Sequence, residues 1–211
     1  MSRRRRLRRE SWGFALGSAC FIVGAVPWYA SAVGPVWDAA TFVAGSVLFT
    51  LAALIQLLLS GRRPPWRPGS RADALDWWSA AVQLVGTVLF NVSTVVVLAA
   101  AVRDPTNAAA GWYPNAWGSI AFLLSSTLAL LAAARRWELS DPAARTMHGA
   151  WLNMAGSLAF GIAAVGAFVL PATGGLVNVR WMNLGTGLGA LCFLVAAMVS
   201  FRSDDARRAA T

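Results

Sequence analysis

The chain has no lysine, a single histidine and two cysteines in 211 residues, and only 13% of its residues are charged. Soluble domains carry about 25% charged residues, so the shortfall excludes an ordinary water-soluble fold and points to lipid as the solvent. One histidine, His148, cannot supply bis-histidine haem ligation, and no Cys, His, Asp or Glu spacing completes a metal cluster. Cys20 and Cys192 both sit inside apolar runs, so they form no disulfide framework and read as small apolar fillers. No nucleophile–base pair, phosphate loop or nucleotide fingerprint occurs. The longest connector, residues 61–76, leaves no room for a soluble catalytic domain. The sequence therefore predicts no enzyme, no cofactor and no metal. The apolar runs also contain no Asp, Glu or Arg. Intramembrane charges mark proton relays and ion-coupling sites, so their absence argues against a proton pump or a carrier of charged substrates. Asp38, beside Trp37 at a run's end, reads as a solvated cap.

What is present is hydrophobic: 57% of the residues, with a mean hydropathy of +0.56. A membrane-spanning helix needs roughly 20 apolar residues. Six stretches qualify: Trp12–Val33, Ala39–Ser60, Trp77–Val102, Ala116–Ala134, Trp151–Leu170 and Met182–Phe201. The basic start followed by an apolar run and Ala30-Ser31-Ala32 resembles a cleavable signal, but the run carries the motif of the later helices, so it reads as a retained member of the bundle. The predicted fold is an all-α integral membrane protein of six spans arranged as three helical hairpins. A basic N-terminus (1–11) leads into hairpin 1 (12–60), an Arg- and Pro-rich linker (61–76), hairpin 2 (77–134), a second linker (135–147), hairpin 3 (148–201) and a tail (202–211).

Every basic residue is Arg, which suggests a GC-rich genome. Sixteen of the 18 Arg fall in the N-terminus, the two linkers and the tail, and only Arg103 and Arg180 fall on the other side. Positive charge stays inside, so both termini are expected in the cytoplasm, with the protein in a bacterial inner membrane. The net charge of +9 then reads as attraction to anionic lipid, not to nucleic acid. The 11 Trp lie near span ends, where an amphipathic indole sits best.

One motif recurs through the spans: a glycine, a small hydroxyl residue, two fillers and a phenylalanine. It appears at Gly17-Ser18 with Phe21, Gly45-Ser46 with Phe49, Gly86-Thr87 with Phe90, Gly118-Ser119 with Phe122 and Gly156-Ser157 with Phe160. The last run has Gly185-Thr186 and a looser Gly189-Ala190 with Phe193. Gly17, Gly86 and Gly156 recur at intervals of about 70 residues, as do Gly45, Gly118 and Gly189, so a hairpin is the repeated unit. Such a repeat fits either a closed pseudo-threefold bundle or a row of hairpins. In lipid, helices are held by close backbone approach and side-chain hydrogen bonds, and glycine followed by Ser or Thr supplies both.

A polar seam runs beside the motif. Gln83, Thr87, Asn91 and Thr94 share one helix face, as do Asn153 and Ser157 on the fifth span. They could line a solute path or simply join helices.

Asn153, Gly156, Ser157 and Phe160, then Pro171, Thr173, Gly174 and Asn178, then Asn183, Gly185, Thr186, Gly189, Ala190, Cys192 and Phe193 resemble the YrhK-like family of small bacterial membrane proteins. The likeness is clearest over residues 150–200. It implies a two-helix hairpin unit and carries no activity. The functional expectation is a non-catalytic accessory subunit or scaffold acting through lateral helix contacts, with a membrane-protein partner or a second copy of itself. The alternative is a channel or carrier for a small neutral or weakly polar solute.

Overall fold

A computed structural model describes residues 3–61, 71–103, 110–136 and 145–209. Over these the chain is helical: α1 (Arg3–Gly24), α2 (Pro27–Val33), α3 (Pro35–Ser60), α4 (Arg71–Arg103), α5 (Trp112–Arg135), α6 (Arg145–Gly166) and α7 (Val179–Ala209). Among the described residues there is no strand, only an isolated antiparallel bridge between Val169 and Leu176 in the turn before α7. Five helices are long and apolar enough to cross a membrane, and a sixth is reached if α1 and α2 count as one broken span.

Several expected boundaries move. The first run is not one helix over Trp12–Val33: it breaks between Gly24 and Pro27, and α2 turns away by 80°. Proline has no N–H to donate and its ring blocks the preceding turn, so it starts a new helix. Only Gly34, with φ +80°, separates α2 from α3, where Pro35 again occupies the first turn. α4 begins inside the expected 61–76 linker, α6 inside the 135–147 linker, and α7 runs through most of the expected tail. α6 stops at Gly166, short of Leu170. The expected linker residues 62–70 and 137–144, with Trp66 and Trp137, lie outside the described residues.

The helices form a closed ring. Each of α1, α3, α4, α5, α6 and α7 packs on the next, and α7 packs back on α1. The seam rests on glycine pairs. A methyl built on Gly17 would lie 2.9 Å from the Gly45 carbonyl oxygen, and one on Gly45 would lie 3.1 Å from that of Gly17. Gly156 and Gly189 meet in the same reciprocal way at 3.0 Å, and Gly118 lies against Gly86 at 3.2 Å. The outer face is large and aliphatic, with Leu51, Val85, Ile120, Leu158, Ile162 and Leu188 exposed. That is the inverse of a soluble bundle and the surface a lipid solvent requires.

Gly185 contributes differently. A methyl there would lie 2.6 Å from the Ala159 carbonyl oxygen and 2.8 Å from the Ala163 nitrogen. Backbone cannot swing aside, so Gly185→Ala is expected to destabilise the bundle by roughly 1–3 kcal/mol. Gly149 has nothing within 4 Å of the same position. Gly149→Ala should be neutral or stabilising by up to about 1 kcal/mol, because alanine is the better helix former. Thermal unfolding of both variants in detergent micelles separates the two outcomes.

Candidate functional site: a phenylalanine constriction between two cavities

The motif phenylalanines fill the middle of the ring. Phe21, Phe49, Phe90, Phe122, Phe160 and Phe193 are all buried. Each lies against the motif glycine of its hairpin partner. Phe49 covers Gly17 and Phe21 covers Gly45; Phe122 covers Gly86 and Phe90 covers Gly118; Phe193 covers Gly156 and Phe160 covers Gly189. The rings then meet one another across the axis. Phe160 stands with centroids 6.1 Å from Phe21, 5.8 Å from Phe90, 6.2 Å from Phe122 and 5.8 Å from Phe193. Phe49 and Phe193 are 5.8 Å apart. The space left between them is about 10 Å³, room for one water at most.

The seam residues flanking this plug act mainly between helices. Asn91 is the busiest. Its Oδ1 accepts from the Ser46 hydroxyl at 2.9 Å, and its Nδ2 donates to the Ser46 carbonyl at 3.3 Å, to the Thr87 carbonyl and to the Thr50 hydroxyl. Ser46 also pairs with the Thr94 hydroxyl at 2.9 Å, so α3 and α4 are joined at several points. Ser79 and Ser125 each donate to the other's carbonyl, at 2.9 and 2.8 Å, joining α4 to α5. Gln83 accepts from Ser125 at 3.4 Å. Ser157 pairs with Ser126 at 2.7 Å and donates to the Phe122 and Asn153 carbonyls, joining α5 to α6. Thr87 is fully buried and donates to the Leu84 carbonyl of its own helix.

Two cavities open above and below the plug. At the end of the bundle that carries the N-terminus, about 80 Å³ lies between Glu10, Ser11, Gln56, Gln83, Asn153 and Ser200. At the opposite end a larger cavity of about 600 Å³ is floored by Phe21, Phe90 and Phe160. Its wall combines small apolar residues with Asp38, Thr94, Asn115, Asn183 and Thr186. The seam therefore does not form one path. Gln83 and Asn153 reach the small cavity and Thr94 the large one, while Asn91 and Ser157 are spent on hydrogen bonds.

Asp38 is only partly solvated. Its Oδ1 is buried with no hydrogen-bond partner among the described residues, and the side chain lines the large cavity. The apolar runs carry no acid, but α1 and α3 begin before them, so Glu10 and Asp38 lie inside helices and each lines a cavity. A signal was available. Asp38, Phe42, Gly45 and Phe49 follow an i, i+4, i+7, i+11 spacing, and Glu10, Phe14, Gly17 and Phe21 follow the same one. That spacing puts each acid on the motif face of its helix. Among the described residues no three His, Cys, Asp or Glu side chains group as a metal site. Cys20 and Cys192 are unpaired and half-buried on the adjacent helices α1 and α7.

No family model, no curated protein and no solved structure matches the chain.

Ser18 breaks the pattern of satisfied hydroxyls. It is fully buried and its Oγ has no partner among the described residues. Its helix α1 packs on α7, whose motif copy carries Ala190 where the other copies carry Ser or Thr. Ser18→Ala removes a buried group that is bonded to nothing, so it should leave stability unchanged or raise it. Ser157→Ala breaks an interhelical pair and should cost roughly 0.6–2 kcal/mol. Chemical unfolding in mixed micelles, read by tryptophan fluorescence, checks both.

Proposed function

We propose that the chain is a non-catalytic membrane protein of six spans, with α1 and α2 together forming the first and both termini in the cytoplasm. Its unit is a helical hairpin copied three times, and its membership of the YrhK-like family is proposed on the last of these. Glycine contacts at equivalent motif positions in all three hairpins, reciprocal in two of them, support the repeat. The Arg distribution supports the orientation. Reporters fused after Met1 and after Thr211 should both be active only on the cytoplasmic side. A periplasmic reading at either end would refute the topology.

Within that class, the geometry favours the carrier over the accessory subunit. The scaffold reading leaned on small-residue faces free to meet a partner. In the fold those faces turn inward and are used up in closing the ring. The observation that carries the alternative is the pair of cavities at opposite ends of one axis, held apart by a phenylalanine constriction. Repeat-built carriers hold their solute where the repeats meet and move it by shifting one repeat against the others. Apolar constrictions hold such a path shut by excluding water. Closed as it stands, the bundle passes nothing through its axis, and transport requires the hairpins to part.

Phe160 touches four of the other rings. In proteoliposomes, Phe160→Ala is expected to raise the permeability to glycerol or urea several-fold over the wild type, measured by stopped-flow light scattering. Equal permeability in the two proteins, with the variant folded, would sink the carrier reading and return the accessory subunit to first place.

A further inference from the structure

We propose that the large cavity is a binding site for an organic cation with an apolar body, and that Asp38 is its counter-charge. Binding at this end stands whether or not the constriction ever opens.

Three observations converge on this ligand class. The first is size. About 600 Å³ lies in the middle of the range that ligand pockets span, far more than water or a bare metal ion needs. The second is charge. A carboxylate oxygen buried without a partner is costly in a weakly polar setting. Its position in the first turn of α3 relieves part of that through the positive end of the helix dipole, and a cation in the cavity would relieve the rest. Among the described residues no Arg lines the cavity, and Arg103 and Arg180, near this end of the bundle, are exposed. An anion would find a carboxylate and no counter-charge. The third is the lining. Phe21, Phe42, Phe90, Phe160 and Trp112 present aromatic surface, and aromatic faces attract organic cations by about 0.5–2 kcal/mol per contact. Small residues such as Gly24, Ala25, Ala39 and Ala163 leave the room that a bulky body takes.

An ionisable side chain facing a cavity within a membrane bundle is a functional-site hypothesis by default. Here the buried carboxylate oxygen has no partner among the described residues, which is why an external cation is inferred. The neutral groups on the wall, Asn115, Asn183 and Thr186, add hydrogen-bonding capacity toward a ligand carrying an N–H or hydroxyl.

The test uses the full chain in lipid nanodiscs and two probes of matched shape and opposite charge, tetraphenylphosphonium and tetraphenylborate, each measured separately by equilibrium dialysis against empty nanodiscs. The expected result is saturable binding of tetraphenylphosphonium at one site per chain and no saturable binding of tetraphenylborate. Asp38→Asn should weaken the cation by at least about tenfold, as expected when a partly desolvated charge loses its partner. Asp38→Glu should recover much of the affinity, and Glu10→Gln, at the other cavity, should leave it unchanged. Saturable binding of both probes would overturn the proposal and make the cavity an apolar site for lipid. So would the absence of saturable cation binding, or equal cation affinity in wild type and Asp38→Asn. The comparison of the two probes on the wild type decides the matter even where Asp38→Asn does not fold.

Discussion

A phenylalanine ring can reach the axis of a helical ring only where the helix it leans on has no side chain. That constraint organises this protein. Each motif phenylalanine lies over the motif glycine of its hairpin partner, and the exchange is mutual in all three hairpins. Glycine in the middle of a helix is unfavourable by roughly 0.5–1 kcal/mol relative to alanine. The return is close backbone approach, with carbonyl oxygens about 3 Å from the would-be methyl positions, and edge-to-face ring pairs contributing about 0.5–1.5 kcal/mol each. In lipid, where burying an aliphatic side chain gains little, contacts of this kind decide which helix faces meet.

The hydroxyl residue beside three of the glycines, Ser46, Ser119 and Ser157, does the second part of the work. It extends the joint from one hairpin to the next, through Ser46 to Asn91 and Thr94, and through Ser157 to Ser126. Glycine and phenylalanine thus join the helices within each hairpin, helped in the second by Ser79 and Ser125, while side-chain hydrogen bonds join one hairpin to the next. The closure of the ring is the place where the motif is imperfect. Ala190 replaces the hydroxyl on α7, and the buried Ser18 on the facing helix α1 is left without a partner among the described residues. A movement that parts the hairpins would find less to break there than at the Ser46–Asn91 joint.

Much of this was legible because it depends on residue spacing. The glycine, hydroxyl and phenylalanine positions that the sequence marks are the buried ones, and the fillers between them are largely exposed or half-buried. Even the loose sixth copy, Gly189 with Phe193, proves to be the one in register, whereas Gly185 packs separately against Ala159 and Ala163. Ring closure was not legible, because a repeat fixes each hairpin and leaves open whether the last meets the first. The break before Pro27 was hidden by hydropathy that continues unbroken through it. Asp38 was misread and Glu10 passed over because span limits were drawn where charge begins. The helices do not stop there, and helical spacing carries both acids onto the inward face.

That last point changes what the axis can do. α1 and α3 run in opposite directions, so an acid in the same place relative to each motif glycine ends up at opposite ends of the bundle. One carboxylate faces each cavity, and neither stands at the phenylalanine layer between them. Asp38 stands in the first turn of α3, where the helix dipole reduces its cost, and the middle of the bundle stays apolar. Under the proposed binding reading, charge preference at the large cavity rests on Asp38, whereas the Arg clustered at the other end offset Glu10, and tightness rests on the rings. Because the acids and the rings sit on different turns of the same helices, the two properties can change independently through single substitutions.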